Sequence, residues 1–275
     1  VIGCGAAGNK ATINLVESEV LNKDEFSYLL INSTSKDIPA NYRERALIFG
    51  KSLGGCGKER DIAKDMIIHD EDNGIRALDK MVDPYADAVI VCGSTEGGTG
   101  SASVPMISKY ISSVLKQPVI ACLFFGFNDD ARGMQNSIEV CQELPENVGV
   151  ISICNSKFLT YTNGNKLKAE ELANHQFISI IRTLSGKSIY ESSQNIDDTD
   201  LKKLITTPGY MTVMSANITG SKSPEQVEKK INDSFIDKSM DSPSKSAKRI
   251  GVIFDVKQEN PNADYQCKIF KDLYG

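Results

Sequence analysis

The chain has 275 residues, 40% of them apolar, and its 31 basic and 36 acidic side chains give a net charge of −5. That length fits one large domain or two smaller ones around a substantial core. No apolar run approaches the roughly 18 to 20 residues of a membrane span, and the acidic balance lacks the clustered cations of a direct nucleic-acid footprint. With only His69 and His175 present, a Ser-His-Asp triad or a histidine-rich metal site has little to work with, and no residue is assigned as a metal ligand. Seven cysteines contain no C-x-x-C pair, and several lie inside apolar runs, the usage expected of a cytoplasmic protein in a reducing compartment. The first residue is a Val inside an apparent strand, so the natural chain is expected to extend further back.

The opening VIGCGAAGNK places Gly3, Gly5 and Gly8 at G-x-G-x-x-G spacing, between a short strand and a helix predicted over residues 9–21. Such a turn offers backbone N–H groups and the positive end of a helix dipole to a phosphate. A dinucleotide site also needs an acidic residue ending the second strand. Here the second strand (residues 26–32, FSYLLIN) ends in Asn32-Ser33-Thr34, which removes the main support for an oxidoreductase. A second glycine cluster, GKSLGGCGKE at residues 50–59, precedes a helix predicted over 61–81. A third, CGSTEGGTGSAS at 92–103, follows the strand ADAVIVC (86–92) and precedes a helix running to about residue 115. In it, the N–H groups of Gly97 to Ser101 and the Thr99 and Ser101 hydroxyls are candidates to wrap a phosphate chain. Walker-type loops are absent: both G-K-S triplets, at 50–52 and 186–188, lack the required first glycine, which is Arg45 in one case and Ile181 in the other.

Two further apolar runs, VIACLFF (119–125) and VGVISIC (148–154), complete a set of strands buried on both faces, the pattern of a parallel sheet with helices on each side. A long, largely buried helix follows over 169–190, with apolar residues near helical period. Beyond it, strands are predicted at 210–218 and 250–256, a helix from Ser223-Pro224 to about residue 236, and an exposed loop over 237–248.

In these loops the sequence resembles the tubulin/FtsZ family. The EGGTGSA of residues 96–102 is similar to the family's G-G-G-T-G-[ST]-G loop, with Glu96 and Ala102 replacing its outer glycines. The opening GCGAAGN looks like the first phosphate loop, giving Gly3, Cys4, Gly5 and Asn9; Asn32 sits where the family has N-T-D, and Gly55 lies in the third loop, LGGCG. ICNSKFL at 153–159 is similar to the ribose-binding segment and points to Asn155. Asp130 and Arg132 correspond to the charged pair flanking the nucleotide, and Asn174, beside His175, is the candidate for the guanine contact, against a structural role for the same amide. N-I-D-D-T-D, residues 195–200, looks like the catalytic loop N-x-D-x-x-D, which implies that Asn195, Asp197 and Asp200 act on the nucleotide of a neighbouring subunit.

The resemblance implies a Rossmann-like parallel-sheet GTP-binding domain (residues 1–168), a long central helix (169–192) and a smaller α+β unit carrying the catalytic loop (193–275). It implies GTP/GDP and Mg²⁺ as ligands and a head-to-tail filament of the chain with itself. Within the family the plasmid- and phage-encoded TubZ group is the better match, with DNA segregated through a separate DNA-binding adaptor and no membrane partner. An FtsZ-type division GTPase and a nucleotide-regulated binding module without hydrolysis are the alternatives.

Overall fold

The computed structural model describes residues 1–22, 26–50, 54–70, 72–186, 198–213, 216–236, 249 and 251. Among these residues seven strands form one sheet: β1 (Ile2–Cys4), β2 (Leu29–Asn32), β3 (Ala46–Ile48), β4 (Val89–Ser94), β5 (Val119–Phe125), β6 (Gly149–Cys154) and β7 (Gly209–Tyr210). Their order is β3-β2-β1-β4-β5-β6-β7, and every neighbouring pair is parallel. The chain winds outward from β1 to β3, then returns to the other side of β1 with β4. The crevice between β1 and β4 is therefore the switch point where open parallel sheets bind ligands.

Alternation along the central strands fills both faces. Val91, Ala121 and Leu123 point to one side, where they meet Ile67 of α2 (Arg60–His69), Leu78 of α3 (Leu78–Met81), Val104 and Ile107 of α4 (Gly98–Tyr110) and Val140 of α5 (Ala131–Glu143). Cys92, Ile120, Cys122 and Phe124 point to the other, against Ala11 and Leu15 of α1 (Gly5–Glu17) and Phe177, Ile180 and Ile181 of α6 (Lys166–Leu184). The Phe124 and Phe177 rings meet edge to face at 5.6 Å. Each such fully buried side chain contributes about 1.5–3 kcal/mol, so α6 is held as a core element against the sheet. Desolvation pushes the Cys92 thiol up to about 11, and those of Cys4 and Cys122 rise as well, consistent with their packing as small hydrophobes.

Several boundaries differ from the sequence reading, each for a physical reason. α1 begins at Gly5, not residue 9, because the glycine turn is itself the first helical turn. The helix expected over 61–81 breaks at Asp70, whose carboxylate accepts from the N–H groups of Gly50 (2.7 Å), Asp72 (3.1 Å) and Asn73 (2.8 Å); side-chain bonding of this kind competes with the helix. α6 starts at Lys166 because the Asn165 side chain caps it, accepting from Lys168 N at 3.1 Å. Among the described residues of the strand expected over 210–218, Tyr210 lies in β7 and Met211 N donates to Val150 O at 2.8 Å, while residues 212–213 and 216–218 are irregular. α7 (Asp198–Ile205) was not anticipated, while α8 (Pro224–Ile236) starts at the expected Ser-Pro signal, with Gln226 N on Ser223 Oγ at 3.4 Å. The strand expected over 250–256 and the loop over 237–248 lie outside the described residues, apart from Arg249 and Gly251.

Candidate nucleotide site

Two helices open on the crevice, α1 from the β1 turn and α4 from the β4 turn. Gly5 has φ +68°, and a Cβ there would lie 2.8 Å from Gly100 N, so the two glycine turns meet backbone to backbone. Only glycine permits that conformation without strain. In the first turn of each helix the N–H groups have no intrahelical acceptor. The first turns of α4 and α1 thus meet at the switch point, each bringing the positive end of its helix dipole there. Gly97, the residue before α4, has nothing within 4 Å of its Cβ position and leaves the approach open.

Two further turns close around this pair. After β2, Asn32 Oδ1 accepts from Ser33 N at 2.9 Å and its Nδ2 donates to Asp37 at 3.2 Å, while Ser33 Oγ and Thr99 Oγ1 share a hydrogen bond at 2.8 Å. The turn at residues 54–59 reaches α4, where Gly98 N donates to Gly57 O at 3.0 Å, and its Gly55 has φ +79°. Lys58 of that turn pairs with Asp130, and Arg132 Nη2 donates to Glu59 at 2.8 Å. The buried Asn136 donates to the carbonyls of both Lys58 (2.9 Å) and Glu96 (3.0 Å). The expected flanking pair Asp130 and Arg132 is therefore brought to the crevice rim as the anchor of this turn on α5.

Three expected residues serve the scaffold with their side chains. Asn9 is fully buried, and its amide makes two 3.2 Å bonds to the backbone of Ile31, splicing α1 to β2. Ser101 Oγ turns back on the carbonyls of Gly97 and Gly98. The Asn32 amide holds its own turn. Asn155, directly after β6, is different: its Oδ1 is buried and, among the described residues, has no hydrogen-bond partner, a state that Asn136 Oδ1 shares. Asn174 lies on α6, 8% exposed, with His175 exposed beside it.

Asn195 and Asp197 lie outside the described residues. Asp200 is in the first turn of α7, exposed, with Lys203 Nζ on its carboxylate at 3.0 Å. Lys202 of the same helix donates to Asp87 at 2.8 Å, just before β4, and α7 leads into the start of β7. α7 thus packs at the amino edge of the sheet, while every glycine turn is at the carboxyl edge, a strand length of roughly 20 Å away. Among the described residues no group of three or more His, Cys, Asp or Glu side chains is arranged to hold a metal, and no helix is long and apolar enough to cross a membrane.

The sequence reading missed Lys58, Glu59, Ser33 and Asn136. A charged K-E-R triplet directly behind a glycine turn was the available signal for the first two. The Lys58 ammonium and the Gly133 N–H hold the Asp130 carboxyl below its ordinary 3.8, and Asp130 in turn lifts Lys58 above its ordinary 10.5. Stability from a lowered carboxyl is present above its unfolded value and lost as pH falls through the folded one; for a raised lysine it is present below the unfolded value and lost on the alkaline side. Asp130→Asn keeps an N-cap and removes the charge. The gap in urea midpoint between wild type and D130N is expected to hold from neutral pH to about 3.8, then shrink on further acidification, and to shrink again above about 10.5. A gap unchanged by acid would show that the pair is not formed in solution.

A doubly wound parallel sheet with two helix N-termini at its switch point is the architecture on which α/β proteins bind nucleotides. A family model described as "Tubulin/FtsZ family, GTPase domain" matches residues 1–163, more than half of the chain. The chain belongs to the tubulin/FtsZ family. The cell division protein FtsZ of Methanothermobacter thermautotrophicus is 30% identical over 112 residues, which are 40% of this chain and 27% of that protein, so the chain matches about a quarter of that relative's length. The protofilament of CetZ2 from Haloferax volcanii, bound to GTPγS, superposes with a TM-score of 0.68 at 16% identity, covering 85% of this chain and 71% of that one. The GTPγS-form protofilament of TubZ from Bacillus thuringiensis serovar israelensis gives 0.64 at 17%, covering 85% and 68%. These structures share the fold, and with FtsZ, CetZ and TubZ all matched, the TubZ group is not singled out.

Proposed function

We propose that this chain is a GTPase that binds guanine nucleotide in the crevice between β1 and β4 and hydrolyses it when a second copy stacks head to tail on that face. The observation that carries this reading is the position of Asp200. It lies at the amino edge of the sheet, a strand length from the glycine turns of its own chain, but at the face that a neighbour in a stack would present to them. Asp200 and Asp197, with Asn195, would then orient and deprotonate the attacking water, while the N–H groups of α1 and α4 bear the charge of the transferring phosphoryl group. Asn155 would take the ribose and Asn174 the base. Mg²⁺ would enter on the phosphate oxygens of the substrate, because it retains most of its water and needs few protein ligands. Completion of the site by assembly implies a heterologous contact that need not close, hence a filament.

Light scattering on adding GTP with Mg²⁺ tests this directly. Scattering is expected to rise above a threshold protein concentration and to fall as GTP is consumed, with turnover per subunit increasing through the same threshold. Constant turnover per subunit down to nanomolar protein, with no scattering, would overturn it. Within the family we favour the TubZ-like segregation role, because a chain of net charge −5 needs an adaptor to hold DNA. The 30% identity over 112 residues to a cell division FtsZ favours a second reading, an FtsZ-type division GTPase. Filaments that retain plasmid DNA only with a basic adaptor present support the first, and filaments indifferent to any such complex support the second.

A further inference from the structure

Among the described residues, Arg60 is the largest fully enclosed side chain, at 1% exposure. It opens α2, immediately after the turn at residues 54–59. Its Nη1 donates to Glu139 at 2.6 Å and its Nη2 to Glu143 at 2.5 Å, both on α5, and Lys64 one turn along α2 donates to Glu143 at 2.7 Å. An enclosed ion pair is weak evidence for stability, since apolar residues of similar volume often serve as well. What an apolar residue could not do is one further contact: Arg60 Nη2 also donates to the carbonyl oxygen of Ser101, at 3.2 Å.

That carbonyl is in the first turn of α4, and in a regular helix it would accept the N–H of the residue four positions on. Four positions on is Pro105, inside α4, which has no N–H to give. The helix that carries the candidate phosphate turn therefore has a buried carbonyl released by its own sequence, and the guanidinium fills the place of the missing backbone donor. Because the same guanidinium is fixed by two α5 carboxylates and belongs to the residue that follows the 54–59 turn, it joins three walls of the crevice at one point. The Gly98 N to Gly57 O bond joins the same 54–59 turn to the start of α4.

We propose that Arg60 is a positioning residue for nucleotide binding, acting by supplying the hydrogen bond that Pro105 withholds from Ser101 and so setting the first turn of α4 against the 54–59 turn. The proposal rests on the nucleotide reading above. It separates from a plain packing role because it couples Arg60 to a residue that it has no need to touch. If Arg60 serves the released carbonyl, returning an N–H at position 105 relieves the loss of Arg60; if Arg60 only packs α2 on α5, Pro105 is irrelevant to it.

The test is a double-mutant cycle on the purified chain, reading the affinity for a fluorescent GDP analogue, which avoids assembly, alongside the urea midpoint. R60M is expected to weaken GDP-analogue binding by about tenfold or more, the loss typical of a hydrogen bond to a charged group. P105A alone is expected to change it by less than about threefold, and R60M/P105A to recover most of the R60M loss. If R60M does not fold, R60K carries the cycle, since lysine keeps the charge for Glu139 and Glu143 but loses the fork that reaches Ser101 as well. R60K is then expected to bind weakly and to be rescued by P105A. Binding by the arginine variant equal to wild type, or a double variant no better than the single one, overturns the proposal. A wild-type chain that binds no GDP analogue overturns the nucleotide reading, and this inference falls with it.

Discussion

Gly8→Ala is expected to destabilise the fold by about 3 kcal/mol or more, a large share of the ~5–15 kcal/mol available to a domain. Gly8 is the last glycine of the opening G-x-G-x-x-G, and it lies on the backbone of β4: an added methyl would press on the Cys92 carbonyl oxygen and stand 3.1 Å from Gly93 Cα. Backbone atoms of a central strand, paired on both sides, have nowhere to retreat. α1 would have to lift, and it carries the Asn9 amide whose two bonds splice it to Ile31 of β2. Overpacking costs about 1–3 kcal/mol and each strained buried hydrogen bond roughly 1 kcal/mol more. Gly97→Ala is the control, because its Cβ position is open and its φ of −76° suits any residue. Urea midpoints should fall steeply for G8A and stay near wild type for G97A. An equal, small change in both would mean that α1 does not approach β4 this closely.

The contrast between Gly8 and Gly97 shows what was legible in the sequence. β5 announced itself because a strand covered on both faces must be apolar throughout, and the glycine turns because close backbone approach and positive φ leave no other choice of residue. α5 was invisible for the opposite reason. Its Met134 and Ile138 are exposed, while the face it packs carries Gly133, Asn136 and Ser137 with Val140 as its one large apolar side chain among the buried residues, so its apolar residues do not mark that face. β3, with three residues, is too short to carry a pattern. At the site, backbone roles were readable and side-chain roles were less so. Asn9 and Ser101 stand at phosphate-loop positions, yet their polar atoms are committed to the scaffold, and Lys58, Glu59 and Arg60 find partners more than 70 residues away. No local spacing encodes such a pairing. Only the winding that brings α2, α4 and α5 to one side of the sheet creates it.

The same winding makes the strongest test of the proposed chemistry a mixing experiment. Asp200→Ala should leave folding and nucleotide binding unchanged, since the residue is exposed and its pair with Lys203 is a surface contact worth little. Turnover should fall by about 10²- to 10⁴-fold, the range for loss of a group that handles the proton of the attacking water, and filaments formed with GTP should persist. Gly100→Val provides the complement. A side chain at position 100 meets the carbonyl oxygens of Cys4 and Ser94, both at 3.0 Å, which blocks the junction of the two glycine turns but leaves α7 untouched. Alone, each variant should show at most this residual turnover. Mixed, the crevice of D200A can be completed by Asp200 of G100V across a stacked contact, and turnover should reappear with a quadratic dependence on subunit concentration at low occupancy. If aspartate and crevice acted within one chain, the mixture would stay inactive. Restoration on mixing thus distinguishes a site shared between copies from one that α7 reaches by folding back over its own sheet, and undiminished turnover in D200A alone would remove Asp200 from the chemistry altogether.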